Sequence, residues 1–204
     1  MEKILEEIKN YRLVPVVAIK NIEDAIPTME ALINGGLPVA EITYRTSCAK
    51  DAIKACVEKF PNALIGAGTV INESQAEEAI SLGVKFIVSP GLSEKVAAVC
   101  KKHDVPYLPG CVTPTEIMKA LDLGLTTIKF FPASNFGGVK TIKALSGPFP
   151  QITIMPTGGV NEDNVMEYLA CKNIIACGGS FMMKGSFEEI EEKTRQAMKL
   201  VKGE

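Results

Sequence analysis

The chain has 204 residues, of which 47% are hydrophobic, enough for a sizeable core in one large or two small domains. Its 22 basic and 24 acidic side chains give a net charge of −2, so we expect neither nucleic acid nor an acidic membrane surface as a partner. No apolar stretch approaches the roughly 20 residues of a membrane span. The first segment, MEKILEEIKN, predicts a short amphipathic helix rather than a signal peptide.

Eight short apolar segments alternate with helical patterns and predict eight strands. They are VPVVAI (14–19), PVAEIT (38–43), ALIGAG (63–68), KFIVS (85–89), PYLPG (106–110), TTIKFF (126–131), ITIMPT (152–157) and NIIACG (173–178). The regular βα repeat indicates an α/β protein in which residues 1–204 form a single (β/α)8 TIM barrel with a short N-terminal helix. An open, doubly wound sheet is the alternative, because periodicity alone does not show closure.

Two of the predicted helices carry clear positional signals. In TPTEIMKALDLG, Thr113 suits the N-cap, Pro114 suits the first helical position, and Glu116 completes a capping box ahead of Gly124. In NIEDAIPTMEALINGG the apolar side chains fall on one face, so Pro27 requires this helix to begin late or to bend. No linker or break in composition divides the chain.

Lys129 lies in the middle of an apolar predicted strand, TTIKFF. Strand residues alternate between faces, so Ile128 and Phe130 would pack under the helices and Lys129 would point inward. In VAEITYRT the same alternation points Glu41 inward and places Arg45 just past the end of the second strand. Active sites of such barrels lie at the carboxyl ends of the strands, so these three side chains would converge at one mouth.

Each of these three residues also has an ordinary structural explanation. Lys129 could extend its amine to water, and Arg45 could be a residue of the rim. Lys129 and Glu41 could instead form a buried structural ion pair, but such pairs seldom stabilise a fold. Two ionisable groups inside a small barrel therefore favour a functional role.

Glycine-rich segments follow three of the predicted strands. GAGTV (66–70) ends the third, PTGGVN (156–161) follows the seventh and CGGS (177–180) follows the eighth. The loops after strands 7 and 8 are the usual phosphate site of this fold, since glycines let backbone amides approach and a helix N-terminus adds positive potential. Gly-Gly is common in turns, but the two loops together predict phosphate binding.

The cysteines and the single histidine do not suggest a thiol nucleophile or a zinc site. The six cysteines form no C-x-x-C pair and are typical of reduced thiols in a cytosolic protein. His103 is expected at the surface, at the end of a helix. Any chemistry should therefore use lysine, carboxylates, arginine, hydroxyls, backbone amides or a hard metal ion.

Nine segments together resemble a known enzyme family. They are EITYRT, GAGTV, VSPGL, PG…TPTE, IKFFPA, GGVK, GPFP, PTGGV and GGS, and they extend from the second strand to the eighth. In this order they resemble the class I aldolases for 2-keto-3-deoxy-6-phosphogluconate (KDPG) and 4-hydroxy-2-oxoglutarate (KHG). The resemblance covers nearly the whole chain. It implies a (β/α)8 barrel, a homotrimer, a cytoplasmic lyase of the Entner–Doudoroff branch of carbohydrate metabolism, and no metal or organic cofactor.

The resemblance also implies roles for individual residues. Lys129 would be the Schiff-base lysine and Glu41 the proton-transfer residue, while Arg45 and Thr69 would hold the carboxylate of the pyruvyl group. The phosphate would be held by Gly158, Gly159, Gly179 and Ser180. Some members carry an arginine at the end of the first strand, where this chain has Lys20, which is therefore a candidate anion-binding residue. Phe131 is a candidate for the pocket wall.

The implied reaction is the cleavage of KDPG to pyruvate and glyceraldehyde 3-phosphate, with KHG as a second substrate. Two alternatives stay open at this point. A phosphosugar isomerase or epimerase could share the barrel but would require a carboxylate pair or a metal site at the strand ends. A non-catalytic phosphometabolite-binding protein would need no nucleophile. The sequence does not distinguish KDPG, its C4 epimer and KHG as the preferred substrate.

Overall fold

A computed structural model describes residues 1–203, in which eight strands are each followed by a helix. Helix α1 (Glu2–Tyr11) precedes the first strand. The strands are β1 (Leu13–Val17), β2 (Val39–Thr43), β3 (Leu64–Gly68), β4 (Phe86–Val88), β5 (Tyr107–Leu108), β6 (Thr127–Phe130), β7 (Thr153–Pro156) and β8 (Cys177–Gly179). The helices after them are α2 (Ala25–Asn34), α3 (Ala49–Lys59), α4 (Glu73–Ser81), α5 (Glu94–Lys102), α6 (Pro114–Asp122), α7 (Gly138–Ser146), α8 (Val165–Leu169) and α9 (Phe187–Lys202).

The strands pair in parallel and form a curled sheet. Six of them follow the order β5-β4-β3-β2-β1-β8, and β6 pairs with β7. Isolated parallel bridges connect these two groups, from Gly110 to Lys129 beyond β5 and from Thr157 to Gly178 beside β8. The predicted α/β class and the alternation of strands and helices are therefore confirmed. Within residues 1–203, no helix has both the length and the apolar character that crossing a membrane requires.

The strand register determines which side chains share the inner face of the sheet. Residues that pair across parallel strands point to the same side. Glu41 pairs with Val16 on one side and with Gly66 on the other, and Gly66 pairs with Phe86. Val16, Gly66 and Phe86 therefore project from the same face of the sheet as Glu41.

Two helix starts follow the signals in the sequence. The backbone N–H of Glu116 donates to the Thr113 hydroxyl at 3.3 Å, and the Glu116 carboxylate accepts from the backbone N–H of Thr113 at 2.9 Å. This is the predicted capping box, with Pro114 at the start of α6. Pro27 is accommodated because a 3-10 turn precedes α2, which places the proline in the first turn of the helix.

The last strand begins later than its apolar run predicts. The apolar run predicts a strand over 173–178, whereas β8 spans Cys177–Gly179. Ile174 forms only an isolated bridge with Ile154, and the N–H of Ile175 donates to the carbonyl of Ile154 at 3.1 Å. The apolar residues before Cys177 therefore pair with β7 through an isolated bridge rather than through a continuous ladder of hydrogen bonds.

Candidate active site

Two ionisable side chains meet inside the curled sheet. Nζ of Lys129 donates to Oε1 of Glu41 at 3.2 Å, and the exposed fractions of these side chains are 2% and 0%. β2 lies between β1 and β3, whereas β6 pairs with β7, so the contact crosses the interior. Lys129 therefore does not extend its amine to water. Oε2 of Glu41 is buried without a hydrogen-bond partner among the described residues, which leaves it free for a proton or a ligand.

The backbone around Lys129 is fixed by the segment that follows β5. The N–H of Lys129 donates to the carbonyl of Pro109 at 2.8 Å, and its own carbonyl accepts from the N–H of Cys111 at 2.9 Å. The half-buried ring of Phe131 has its centroid 5.1 Å from Nζ of Lys129. An aromatic face at this distance attracts a cation and excludes water, so the ring forms one wall beside the amine.

Arg45 and Thr69 meet at the carboxyl ends of two adjacent strands. Nε of Arg45 donates to the Thr69 hydroxyl at 2.9 Å. Thr69 follows β3 directly and has φ of 58°, which is a rare backbone conformation for a β-branched residue. Such conformations are costly and tend to occur at functional sites. A guanidinium and a hydroxyl placed together in this way can bind a carboxylate.

The loop after β7 presents two glycines in left-handed conformations. Gly158 has φ of 94° and Gly159 has φ of 78°, values that favour glycine over other residues. The carbonyl of Gly158 accepts from the N–H of Ser134 at 3.0 Å, and the carbonyl of Gly159 accepts from the amide of Asn164 at 2.9 Å. The carbonyls of this loop are thus tied to the protein, which holds the glycine backbone in one arrangement.

The loop after β8 lies beside the end of β1. Gly179 ends β8, the exposed Ser180 follows it, and both Ser180 and Lys20 line a cleft of about 650 Å³. The expected helix N-terminus does not lie in either glycine loop, because α8 begins at Val165 and α9 at Phe187. The N-terminus of α9 nevertheless lines the same cleft as Ser180, through Ser186 and Phe187, so positive potential at this rim would come from backbone amides, Lys20 and this helix end.

Thr157 is a polar residue of the mouth that none of the sequence motifs indicates as functional. It is 4% exposed, and its hydroxyl has no hydrogen-bond partner among the described residues. Its N–H donates to the carbonyl of Phe130 at 2.9 Å, which places it between the strand of Lys129 and the loop at Gly158. Strand alternation in ITIMPT could have indicated its direction, because Thr157 lies on the face opposite to the apolar Ile152 and Ile154. An unpaired buried hydroxyl is available to a polar group of a ligand.

Two buried cysteines and the histidine have surroundings unsuited to nucleophilic catalysis. Burial raises the pKa of the Cys111 thiol and of the Cys177 thiol to about 12, which disfavours the reactive thiolate. His103 lies at the protein surface, with Nε2 2.8 Å from a carboxylate oxygen of Glu77. Among residues 1–203 there is no group of three or more His, Cys, Asp or Glu side chains that could hold a metal ion.

Comparison with known proteins gives a consistent result over most of the chain. The family model for KDPG and KHG aldolases matches residues 4–199. The chain is 41% identical to a 2-dehydro-3-deoxy-phosphogluconate aldolase of Haemophilus influenzae, with 98% of each protein covered. It is also 41% identical to a KHG/KDPG aldolase of Escherichia coli, with 91% of this chain and 90% of that protein covered.

The fold agrees with that of a solved structure. A KDPG aldolase from Legionella pneumophila, in which pyruvate was captured as a covalent carbinolamine intermediate, matches with a TM-score of 0.91 and 37% identity. The match covers 94% of this chain and 97% of that one. The chain therefore belongs to the KDPG and KHG aldolase family.

Proposed function

We propose that this protein is a class I aldolase that cleaves KDPG to pyruvate and glyceraldehyde 3-phosphate, and KHG to pyruvate and glyoxylate. The observation that carries the proposal is the buried contact of 3.2 Å between Nζ of Lys129 and Oε1 of Glu41. An amine that is shielded from water and adjacent to a proton acceptor is suited to Schiff-base formation. The captured carbinolamine of the Legionella relative supports the same chemistry in this family.

The first stage joins the substrate to the lysine. Only a neutral amine attacks a ketone, and transfer of a proton from Nζ of Lys129 to Glu41 produces that amine in surroundings that disfavour separated charges. Nζ then bonds to C2 of the sugar acid and gives a carbinolamine. Glu41 returns a proton to the C2 hydroxyl, which leaves as water, and an iminium ion remains.

The second stage breaks the C3–C4 bond. Glu41, or a water molecule that it holds, removes the proton of the C4 hydroxyl. The electrons of the C3–C4 bond move into the iminium, glyceraldehyde 3-phosphate leaves, and an enamine of pyruvate stays on Lys129. Protonation of C3 and hydrolysis of the iminium then release pyruvate and regenerate the amine. Oε2 of Glu41 has no hydrogen-bond partner within residues 1–203, which supports its use as the proton carrier.

The substrate's two anionic groups are held at different parts of the mouth. Arg45 and Thr69 bind the carboxylate of the pyruvyl group, which their hydrogen bond of 2.9 Å supports. The phosphate is bound by Gly158, Gly159, Gly179 and Ser180, and Lys20 adds a positive charge beside Ser180 in the same cleft. Phe131 packs against the reacting carbons, consistent with its position next to the amine.

We also propose that residues 1–204 form one domain whose eight strands close into a (β/α)8 barrel. The bridges Gly110–Lys129 and Thr157–Gly178 support closure, because they join the edges of the six-stranded sheet to β6 and β7. The family resemblance further suggests a homotrimer. Light scattering should then give a mass about three times the 21.9 kDa of the chain, and the mass of a monomer would contradict this assembly. A cytoplasmic location is supported by the six unpaired cysteines.

Borohydride trapping tests the proposed chemistry. Reduction in the presence of pyruvate should convert the imine to a stable secondary amine on the peptide that contains IKFFPA. Exposed lysines remain protonated near neutral pH and should not compete for the ketone. Chelator should leave activity intact, since the iminium supplies the electron sink. Trapping at another lysine would contradict the assignment, and no trapping combined with inactivation by chelator would favour a metal-dependent enzyme.

The substrate preference requires a direct comparison of rates. We expect kcat/KM to be higher for KDPG than for KHG, because only KDPG carries the phosphate that the glycine loops would bind. The C4 epimer of KDPG should test whether the mouth distinguishes the configuration at C4. Equal kcat/KM values for KDPG and KHG would remove the argument for a phosphate site.

A further inference from the structure

We propose that Gly68 is a positioning residue, and that its lack of a side chain is what allows the carboxylate of Glu41 to rest against Lys129. The inference rests on the proposed role of Glu41 in proton transfer. It concerns a residue of β3 that has no polar side chain and would itself contact no substrate. Its contribution would be the space that it leaves on the inner face of the sheet.

The backbone conformation at Gly68 does not require glycine. Its φ lies outside the left-handed range, so an L-residue could adopt this conformation. Gly68 pairs with Thr43 of β2, two residues beyond the pair of Glu41 and Gly66, so it shares the inward face. A Cβ at Gly68 would lie 2.6 Å from Cγ and 2.7 Å from Cδ of Glu41, and closer still to Oε1. The space that a side chain would fill is therefore already occupied by the carboxylate.

Gly66 provides a contrast two residues earlier on the same strand. A Cβ there would overlap the ring of Phe86, which is fully buried on β4. Gly66 thus makes room for an apolar ring of the core. Gly68 instead makes room for the only carboxylate that contacts Nζ of Lys129 among the described residues. Of the two inward glycines of β3, Gly66 therefore serves the packing of the core and Gly68 serves the site.

The consequence of filling this space follows from the flexibility of Glu41. The overlapping atoms belong to the end of a side chain, which can rotate, rather than to backbone. A Cβ at Gly68 would therefore turn the carboxylate away from Lys129 and break the contact of 3.2 Å. The main loss should fall on proton transfer, while the curled sheet is retained.

The test measures the exchange of the C3 protons of pyruvate with deuterated water in a double-mutant cycle. Gly68→Ala should slow exchange by about 10²–10⁴-fold, as expected for loss of a general acid–base group. In a Glu41→Ala background the same change should slow exchange by no more than about threefold further, because the carboxylate that it would displace is already gone. Independent, multiplicative losses would overturn the inference, since a purely structural defect would act in both backgrounds.

Failure of this inference is distinguishable from failure of the proposed function. If Glu41→Gln slows exchange but Gly68→Ala exchanges at the wild-type rate, Gly68 does not position the carboxylate. If Glu41→Gln itself exchanges at the wild-type rate, the role of Glu41 is wrong and the inference fails with it.

A second measurement keeps the inference testable if Gly68→Ala does not fold. In the double variant Glu41→Ala and Gly68→Ala, the new Cβ no longer meets the carboxylate, so the protein should fold and melt close to Glu41→Ala alone. Gly66→Ala is the matched control, and it should lower the melting temperature equally with and without Glu41, because the Phe86 ring remains. Failure of the double variant to fold would overturn the inference.

Discussion

The buried lysine–glutamate pair and the glycine loops, which we propose as two halves of one site, are built in opposite ways. Lys129 and Glu41 are at most 2% exposed and meet through their side chains. The loop at Gly158 and Gly159 and the exposed Ser180 offer mainly backbone and lie at the rim. Covalent chemistry on a ketone benefits from an amine shielded from water, whereas an anion can be bound by amides near solvent.

This contrast has a measurable consequence. Changes to the interior pair should impair every substrate, since all of them would pass through the same imine. Changes to the glycine loops should impair only substrates that carry a phosphate. The following substitutions test that division, in order of decreasing expected effect.

Lys129→Ala should abolish the chemistry of the buried lysine–glutamate pair. Without the amine there is no imine, so we expect loss of borohydride trapping and a fall in kcat of at least about 10⁴-fold for both KDPG and KHG. Lys143→Ala, which removes an exposed lysine of α7, is the control and should keep wild-type trapping. Residual trapping at a normal rate in Lys129→Ala would place the nucleophile elsewhere.

Glu41→Gln should keep the fold and lose the proton carrier. The amide has nearly the same shape as the carboxylate, so packing should survive, while proton transfer slows by about 10²–10⁴-fold. Exchange of the pyruvate C3 protons with deuterated water measures this step, and the melting temperature reports the fold. Exchange at the wild-type rate would remove Glu41 from the mechanism.

Ser180→Asp should impair phosphate binding and leave the chemistry of the buried pair intact. A carboxylate at the proposed phosphate position repels the phosphate, so KM for KDPG should rise by about 10²-fold while KM for KHG changes little. Ser180→Ala, which adds no charge, should have a much smaller effect on KDPG. An equal rise in KM for both substrates would mean that the phosphate binds elsewhere or that the mouth was damaged.

Arg45→Lys should affect both substrates to the same, smaller extent. Both carry the carboxylate of the pyruvyl group, and lysine loses the planar, two-pronged geometry of the guanidinium. We expect KM for KDPG and for KHG to rise by about tenfold, which corresponds to about 1.4 kcal/mol. A rise confined to KDPG would move Arg45 from the carboxylate to the phosphate.

Local sequence signals predicted much of the scaffold. The capping box at Thr113 and Glu116 formed as expected, because its hydrogen bonds join neighbouring residues. Strand alternation placed Ile128 and Lys129 on opposite faces, and both are buried, as the pattern indicated. The eighth strand was placed too early, because an apolar run fixes burial without fixing which residues pair with the next strand.

The sequence by itself determined the βα repeat, the inward parity of Lys129 and Glu41, and the glycine loops, since each depends on residues close together in the chain. Only the tertiary structure decided that Lys129 and Glu41, separated by 88 residues, lie 3.2 Å apart. The same holds for the burial of the Thr157 hydroxyl and for the carboxylate that fills the space over Gly68. These features depend on strand register and on the curl of the sheet, which bring distant residues together and which no local pattern encodes.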